Sequence, residues 1–363
     1  MNQINLKNEK TKRAYLAWRR EAQGDSEKTI TMRERTINLY SDYTNAADFK
    51  SFNKDKAIGF KEYLRSPSGD GKKKSRNTIR TILIHIRDFY KWLCTQPGYR
   101  RIAISEIDYL KISKQDSRIA AESVQKSIPS FEHSLKLVHS IEINDDVDFR
   151  DKAMIALIVC TGMRDSAVRT LPVSCIDIDE LIVYQLPQKG VETKYSKEIT
   201  SVIFPFDESL IKIIKEWIIY LKNKGFGEDD PYFPQSKLEH LEGSFSYKKP
   251  TEILPEFLQS TSVIRRVFKD RSLAAKLPYF RPHSFRDMAI NRAIKYAKSN
   301  LQLKAISQNV GHEKFFTTFS SYGTLNQDEL ISLLRQINFK EDPDISNIEL
   351  MNFLKKFYND HKN

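Results

Sequence analysis

Cysteine is scarce in this chain, and where it occurs it carries no pairing pattern. Cys94, Cys160 and Cys175 form no CxxC pair and no ligand cluster accompanies them, which argues against a zinc module or a disulfide framework. Each falls in an apolar or mixed stretch, so buried, reduced thiols are expected, and with them a reducing compartment. Long apolar runs are missing too. No stretch approaches the roughly 18 apolar residues that a membrane helix needs. The N-terminal Met-Asn-Gln-Ile-Asn-Leu-Lys lacks the apolar segment of a secretory signal. A cytoplasmic protein with no membrane partner is the expectation. No internal repeat is present either.

What the chain does have is charge, unevenly spread. Its 363 residues are enough for two domains, and 40% hydrophobic with 29% charged residues reads as globular rather than disordered. The net charge of +12 calls for an anionic partner. Residues 1–118 carry 26 Lys and Arg against 14 Asp and Glu, so the first third holds the whole excess and the remaining 245 residues are balanced. A domain that grips a polyanion, joined to one that does something else, fits this division.

Hydrophobic periodicity predicts helices over 10–24, 26–43 and 54–64. After a Gly/Ser/Pro loop comes the clearest one, with Ile79, Ile82, Ile86, Phe89, Tyr90 and Leu93 as its apolar stripe. Arg76, Arg80, Arg87 and Lys91 decorate the other faces of that helix, and Lys72, Lys73 and Lys74 lie in the loop before it. Any single lysine of this kind is ordinarily a solvated surface residue. Clustering of the entire net charge here points instead to contacts with DNA phosphates, which position a protein without specifying sequence.

A polar, weakly periodic stretch over 113–128 reads as an interdomain linker. Beyond it, helices are predicted from Pro129, from Phe149 to Cys160, over 208–223, over 259–276 and from Ser284 onward. Leu181–Leu186 and Ile199–Pro205 read as strands, with the basic segment Lys189–Lys197 at the tip of a hairpin or small sheet between them. The tail, 344–363, reads as an amphipathic helix that packs onto a neighbour or back in cis.

Five residues could do chemistry together. Arg164 follows a Thr161-Gly162 break at the end of an apolar helix, where rigid backbone can aim its fork at a phosphate. His283 and Arg286 stand three apart at a helix start after Pro282, so both point the same way, toward an end that favours anions. His312 follows Gly311, and Tyr322 sits in a small, polar neighbourhood that keeps a phenol exposed. Each piece has a bland reading: a salt bridge to Asp165, a satisfied buried histidine, a core ring.

Jointly, the order Arg…Lys…His-x-x-Arg…Gly-His…Tyr resembles the tyrosine recombinase (phage integrase) family. The segments around Thr161–Asp165, Glu192–Lys197, Pro282–Asp287, Ala305–Glu313 and Thr317–Gly323 look like its bacterial mobile-element branch. The resemblance implies a mainly α fold with a small β-sheet. A helical core-binding (SAM-like) domain would occupy 1–118, a linker 119–128, a catalytic domain of the DNA breaking-rejoining fold 129–340, and a tail helix 341–363. It further implies that Tyr322 attacks the scissile phosphate to give a 3′-phosphotyrosyl link, that Arg164 and Arg286 hold the non-bridging oxygens, and that His283 accepts the phenol proton. His312 would donate a hydrogen bond to the phosphate. A lysine on a β-hairpin would protonate the leaving 5′-oxygen; Lys194 is the choice, with Lys189 and Lys197 as alternatives.

No metal or other cofactor is expected, because two arginines supply the charge that Mg²⁺ provides elsewhere. The partner is double-stranded DNA, bound by a homotetramer on paired sites, with accessory DNA-bending proteins as further candidates. Two departures from the family pattern stand out. Ala167 occupies a position where many members carry Glu or Asp, so Asp165 is a candidate to take over the orienting role. His312 and Tyr322 are ten apart, one more than the commonest spacing. Rival readings are a type IB topoisomerase, a hairpin telomere resolvase, or a DNA-binding protein without catalysis.

Overall fold

Short polar residues start the helices where the apolar stripes begin. Asn5 accepts hydrogen bonds from the Lys7 and Asn8 amides at the head of α1 (Leu6–Glu21), and Ser26, Asn53 and Ser75 cap α2 (Glu27–Tyr43), α3 (Lys54–Arg65) and α4 (Arg76–Leu93) in the same way. The structure, a computed structural model, describes residues 5–67, 71, 73–112, 127–239, 248–311 and 327–339. The chain divides into two compact units, Met1–Val124 and Gln125–Asn363.

In the first unit, α4 buries Ile82, Ile86, Phe89, Tyr90 and Leu93 against Tyr15, Tyr40, Phe49, Phe52 and Phe60 from the rest of the bundle. Aromatic rings form much of this core. Phe52 stacks on Tyr90 at 4.0 Å between centroids, and Tyr40 meets Phe60 edge-on at 5.0 Å. A polar knot ties α1 to α2. Asp25 accepts from both Arg19 and Arg33 at 2.7 Å, and Arg33 also donates to the Tyr15 hydroxyl at 3.1 Å. Burial opposes ionisation of Asp25, but the two guanidinium bonds outweigh it and hold its carboxyl below the ordinary carboxylate range. A short helix, α5 (Ile104–Ile107), and a 3-10 turn at Asp108–Leu110 add Ile107 and Leu110 to this core.

The second unit is built round one helix. After α6 (Phe131–His139), α7 (Asp146–Thr161) buries every residue from Val147 to Thr161 except Lys152. Such a helix has no exposed face because neighbours surround it: α6, α9 (Glu208–Asn223) and α11 (Pro282–Tyr296). Gly162 ends α7 in the left-handed region, φ 62°, where a glycine costs nothing sterically. The five-residue α8 (Asp165–Arg169) follows. Next comes an antiparallel sheet, β1 (Ile176–Asp177), β2 (Ile182–Gln185) and β3 (Ile199–Val202), in that spatial order, with Ile182 opposite Val202 and Gln185 opposite Ile199.

A second, two-stranded sheet pairs β4 (Pro234–Ser236) with β5 (Ile253–Phe257). It carried no sequence signal: β4 is three residues long, and Pro255 interrupts the β5 pattern. The chain continues with α10 (Thr261–Ala274), then α11, α12 (Asn300–Asn309) and α13 (Gln327–Arg335). Arg271 of α10 is locked to α7 by ion pairs at 2.7 Å to Asp148 and Asp151.

The mainly α fold with small sheets is as expected, and the predicted helices and strands lie within a few residues of those observed. Cys160 and Cys175 are buried, but Cys94, at the C-terminal end of α4, is only partly covered. No described helix is long and apolar enough to cross a membrane. The tail over 341–363 and most of the linker fall outside the described residues.

Candidate active site

Three elements of the second unit bring two arginines together. The Gly162 turn releases the chain from α7 and makes Arg164 the N-cap residue of α8. Arg286 lies in the first turns of α11, which begins at Pro282 as proline's fixed φ allows. The third element is the end of α12, where Val310 and Gly311 present their carbonyls. Arg286 donates to the Gly162 and Val310 carbonyls, and Arg164 donates to the Gly311 carbonyl at 3.3 Å. Gly311 adopts φ 67°, and a Cβ there would stand 3.4 Å from Arg164 Nη1 and force Ile199 Cδ1 to move. Glycine is therefore needed where the α12 terminus meets the arginine.

The electrostatics of this corner are unusual. Arg286 is 1% exposed and its Nε has no hydrogen-bond partner among the described residues. Desolvation, then the neighbouring charge of Arg164, push its guanidinium down to about 9. Arg164 is half-buried, and desolvation lowers its pKa as well. Among the described residues neither guanidinium has a carboxylate within ion-pair distance; their hydrogen-bond partners are backbone carbonyls, and the charges of Asp287 and Asp165 act on Arg286 without pairing with it. Two adjacent, desolvated cations held by neutral acceptors make a site complementary to an anion.

His283 and Arg286 differ in exposure. His283 is exposed on the first turn of α11, whereas Arg286, one turn deeper, is drawn inward by the two carbonyls. Lys194 lies in the β2–β3 connection, as expected. That connection is more than a tight tip, since it holds 3-10 turns at Pro187–Lys189 and Lys194–Ser196. The Lys194 ammonium is exposed and sits 4.8 Å from the ring centroid of Tyr195. Of the alternatives, Lys189 is tied to Ser174 Oγ at 3.1 Å, and Lys197 is exposed. Asp165 opens α8 beside Arg164, and its charge acts on Arg286 in the stabilising direction. His312 and Tyr322 lie outside the described residues.

One residue that periodicity did not single out holds the corner in register. Asn309 is fully buried at the end of α12 and pairs with β3 as a strand would: its Oδ1 accepts from the Val202 amide at 2.6 Å, and its Nδ2 donates to the Val202 carbonyl at 3.2 Å. Ser201 donates to the Asn309 carbonyl and accepts from Gln185. The sheet that carries the Lys194 connection is thereby bolted to the segment whose next two carbonyls face the arginines. Its neighbours Ser307 and Gln308 are polar too, so nothing in the local sequence set Asn309 apart.

In the first unit, α4 lines up its basic residues more tightly than a scatter over several faces. At 3.6 residues per turn, Arg76, Arg80, Arg87 and Lys91 fall within an arc of about 60°, with Ile84 at its margin. Arg76 and Lys91 are exposed, Arg80 and Arg87 half-buried, and Ile84 is 39% exposed. Lys73 and Lys74 lie just ahead of the helix, while Lys72 is outside the described residues.

Known proteins resemble this chain in sequence and in fold. A probable integrase/recombinase of Aquifex aeolicus is 23% identical over 330 residues, covering 86% of this chain and 95% of that protein. The tyrosine recombinase XerC of Bacillus pumilus is 30% identical over 169 residues, 44% of this chain and 47% of that protein. Among solved structures, a lambda integrase dimer bound to a core site superposes with a TM-score of 0.58 at 15% identity, covering 93% of this chain and 98% of that one. The Tn1549 transposon integrase in complex with transposon right end DNA gives 0.51 at 15% identity, covering 90% and 99%. These two likenesses concern the fold. The model described as the phage integrase family matches residues 131–329, more than half of the chain and all the elements that build the arginine corner, and the chain belongs to that family.

Proposed function

We propose that this protein is a site-specific DNA recombinase that cleaves and rejoins DNA through a 3′-phosphotyrosyl intermediate. The observation that carries the reading is the convergence of Arg164 and Arg286, desolvated and without an acidic partner among the described residues, on one corner. A scissile phosphate supplies the missing negative charge, and its non-bridging oxygens gain charge toward the pentacoordinate transition state. Donors already oriented and desolvated stabilise that gain most.

In the proposed step, the Tyr322 oxygen bonds to phosphorus while the bond from phosphorus to the 5′-oxygen breaks. The phenol proton passes to His283, because imidazole is the side chain whose ordinary titration range suits a base at neutral pH. Lys194 donates a proton to the departing 5′-oxygen, and His312 donates a hydrogen bond to the phosphate. Rejoining runs the same steps backward. The basic stripe of α4, with Lys72, Lys73 and Lys74, grips the phosphates of the duplex.

Strand exchange between two duplexes calls for four protomers, and the lambda integrase tetramer bound to a Holliday junction, TM-score 0.58, supports that assembly. The transposon integrase among the similar folds supports integration or excision of a mobile element. The deciding experiment is covalent trapping on a nicked suicide duplex. The protein should form a protease-sensitive, tyrosine-linked adduct at the 3′ end, and Tyr322→Phe should form none. An unchanged adduct with Tyr322→Phe would overturn the reading.

A further inference from the structure

Helix α8 grips the β2–β3 connection at a single residue through three separate bonds. The Glu192 amide donates to Thr170 Oγ1 at 2.8 Å, the Ser166 hydroxyl donates to the Glu192 carbonyl at 3.2 Å, and Arg169 pairs with the Glu192 carboxylate. Arg169 is itself held from its other side, donating to the Leu258 carbonyl at 3.0 Å. Val191, just before, is buried and its amide donates to the Leu186 carbonyl at 3.2 Å.

An exposed ion pair alone contributes little. Here, though, both backbone groups of Glu192 are also taken, by side chains of one short helix and its C-cap residue, Thr170. Ladder bonding stops at Gln185 and resumes at Ile199, so these contacts replace the sheet in holding the connection. Two residues beyond the clamp stands Lys194, exposed and with its ammonium over the neighbouring Tyr195 ring. At the other end of the same helix stands Arg164, its N-cap residue.

We propose that Ser166, Arg169 and Thr170 are positioning residues that register Lys194 against the phosphate gripped by Arg164. The inference rests on the reading of Lys194 as the acid for the leaving oxygen. It assigns α8 a double duty. One end orients the group that holds the phosphate, and its outer side sets where the proton donor stands. None of the three touches the reacting atoms.

The test compares two nicked duplexes that differ in one bridging atom, oxygen or sulfur, at the 5′ position of the scissile phosphate. A 5′-thiol, with a pKa of roughly 8.5, leaves as the thiolate without a proton donor, whereas a 5′-alcohol does not. Arg169→Ala and the near-isosteric Thr170→Val should each slow cleavage of the oxygen substrate roughly three- to tenfold, the rate equivalent of about one hydrogen bond. Cleavage of the sulfur substrate should stay within about twofold of the parent, because no proton is needed there. Lys194→Ala should show the same selective loss on oxygen, larger in size. If Lys194→Ala is not rescued by sulfur, its reading as the acid falls. If Lys194→Ala is rescued but the α8 variants slow both substrates alike, or neither, the reading of Lys194 stands and the positioning role is overturned.

Discussion

The two units handle positive charge in opposite ways. In the first, arginines and lysines line one stripe of α4 at the surface, and the one deep arginine among the described residues, Arg33, is neutralised by Asp25 and bonded to Tyr15. In the second, where acids and bases balance overall, Arg286 is buried beside Arg164 with carbonyls for hydrogen-bond partners and no ion-paired carboxylate among the described residues. Surface cations act through number, each weakly and subject to screening by salt. Buried cations act through position, and two of them demand a particular anion. The first arrangement suits holding a long polyanion, the second suits acting on one phosphate.

The contrast is broken most strongly at the arginine corner. Arg164→Ala or Arg286→Ala should slow single-turnover cleavage of a nicked duplex by roughly a hundredfold or more, the scale of a lost preorganised donor at ~2.7–4 kcal/mol. Near-normal rates would remove the corner from the chemistry. In the first unit the counterpart is Asp25→Ala, which leaves Arg19 and Arg33 without their shared acid and should cost about 3 kcal/mol at neutral pH. Urea unfolding followed by Trp18 and Trp92 fluorescence measures it. The Asp25 carboxyl is held below its ordinary range, so its contribution is present above the unfolded value near ~3.9 and disappears as pH falls through the folded one. The parent and Asp25→Ala curves should therefore converge in acid; a gap that persisted at low pH would contradict the assignment. The smallest effect belongs to the stripe. Replacing Arg76 and Arg87 together by Ala should reduce the slope of log affinity against log salt by about 2, with little dependence on DNA sequence. An unchanged slope would detach α4 from the phosphates.

Much of this contrast was readable before any coordinates. The apolar stripe of α4 and the wholly apolar stretch of α7 announced a surface helix and a central one, because periodicity reports burial directly. Arg164, Arg286 and Lys194 were named from motifs, and the structure brings the first two to one corner. The differing environments of His283 and Arg286 were not legible, since helical spacing says which side a residue faces but not which distant carbonyls draw it in. Asn309 was missed for the same reason: its partner Val202 is 107 residues away. The hold on the Glu192 amide and carbonyl was not legible either, because Thr170 and Ser166 lie 22 and 26 residues before it.

By itself, the sequence determined where the charge lies, which segments are helices, and which residues could form a phosphate-binding set, because composition, local spacing and short motifs are properties of the chain alone. Only the tertiary structure decided that two arginines share one desolvated corner, that neutral carbonyls face them, and that a five-residue helix ties Lys194's connection to Arg164. Burial and hydrogen-bond partnership are relations between segments far apart in the chain. They come into being only when α7, α11, β3 and the end of α12 pack together.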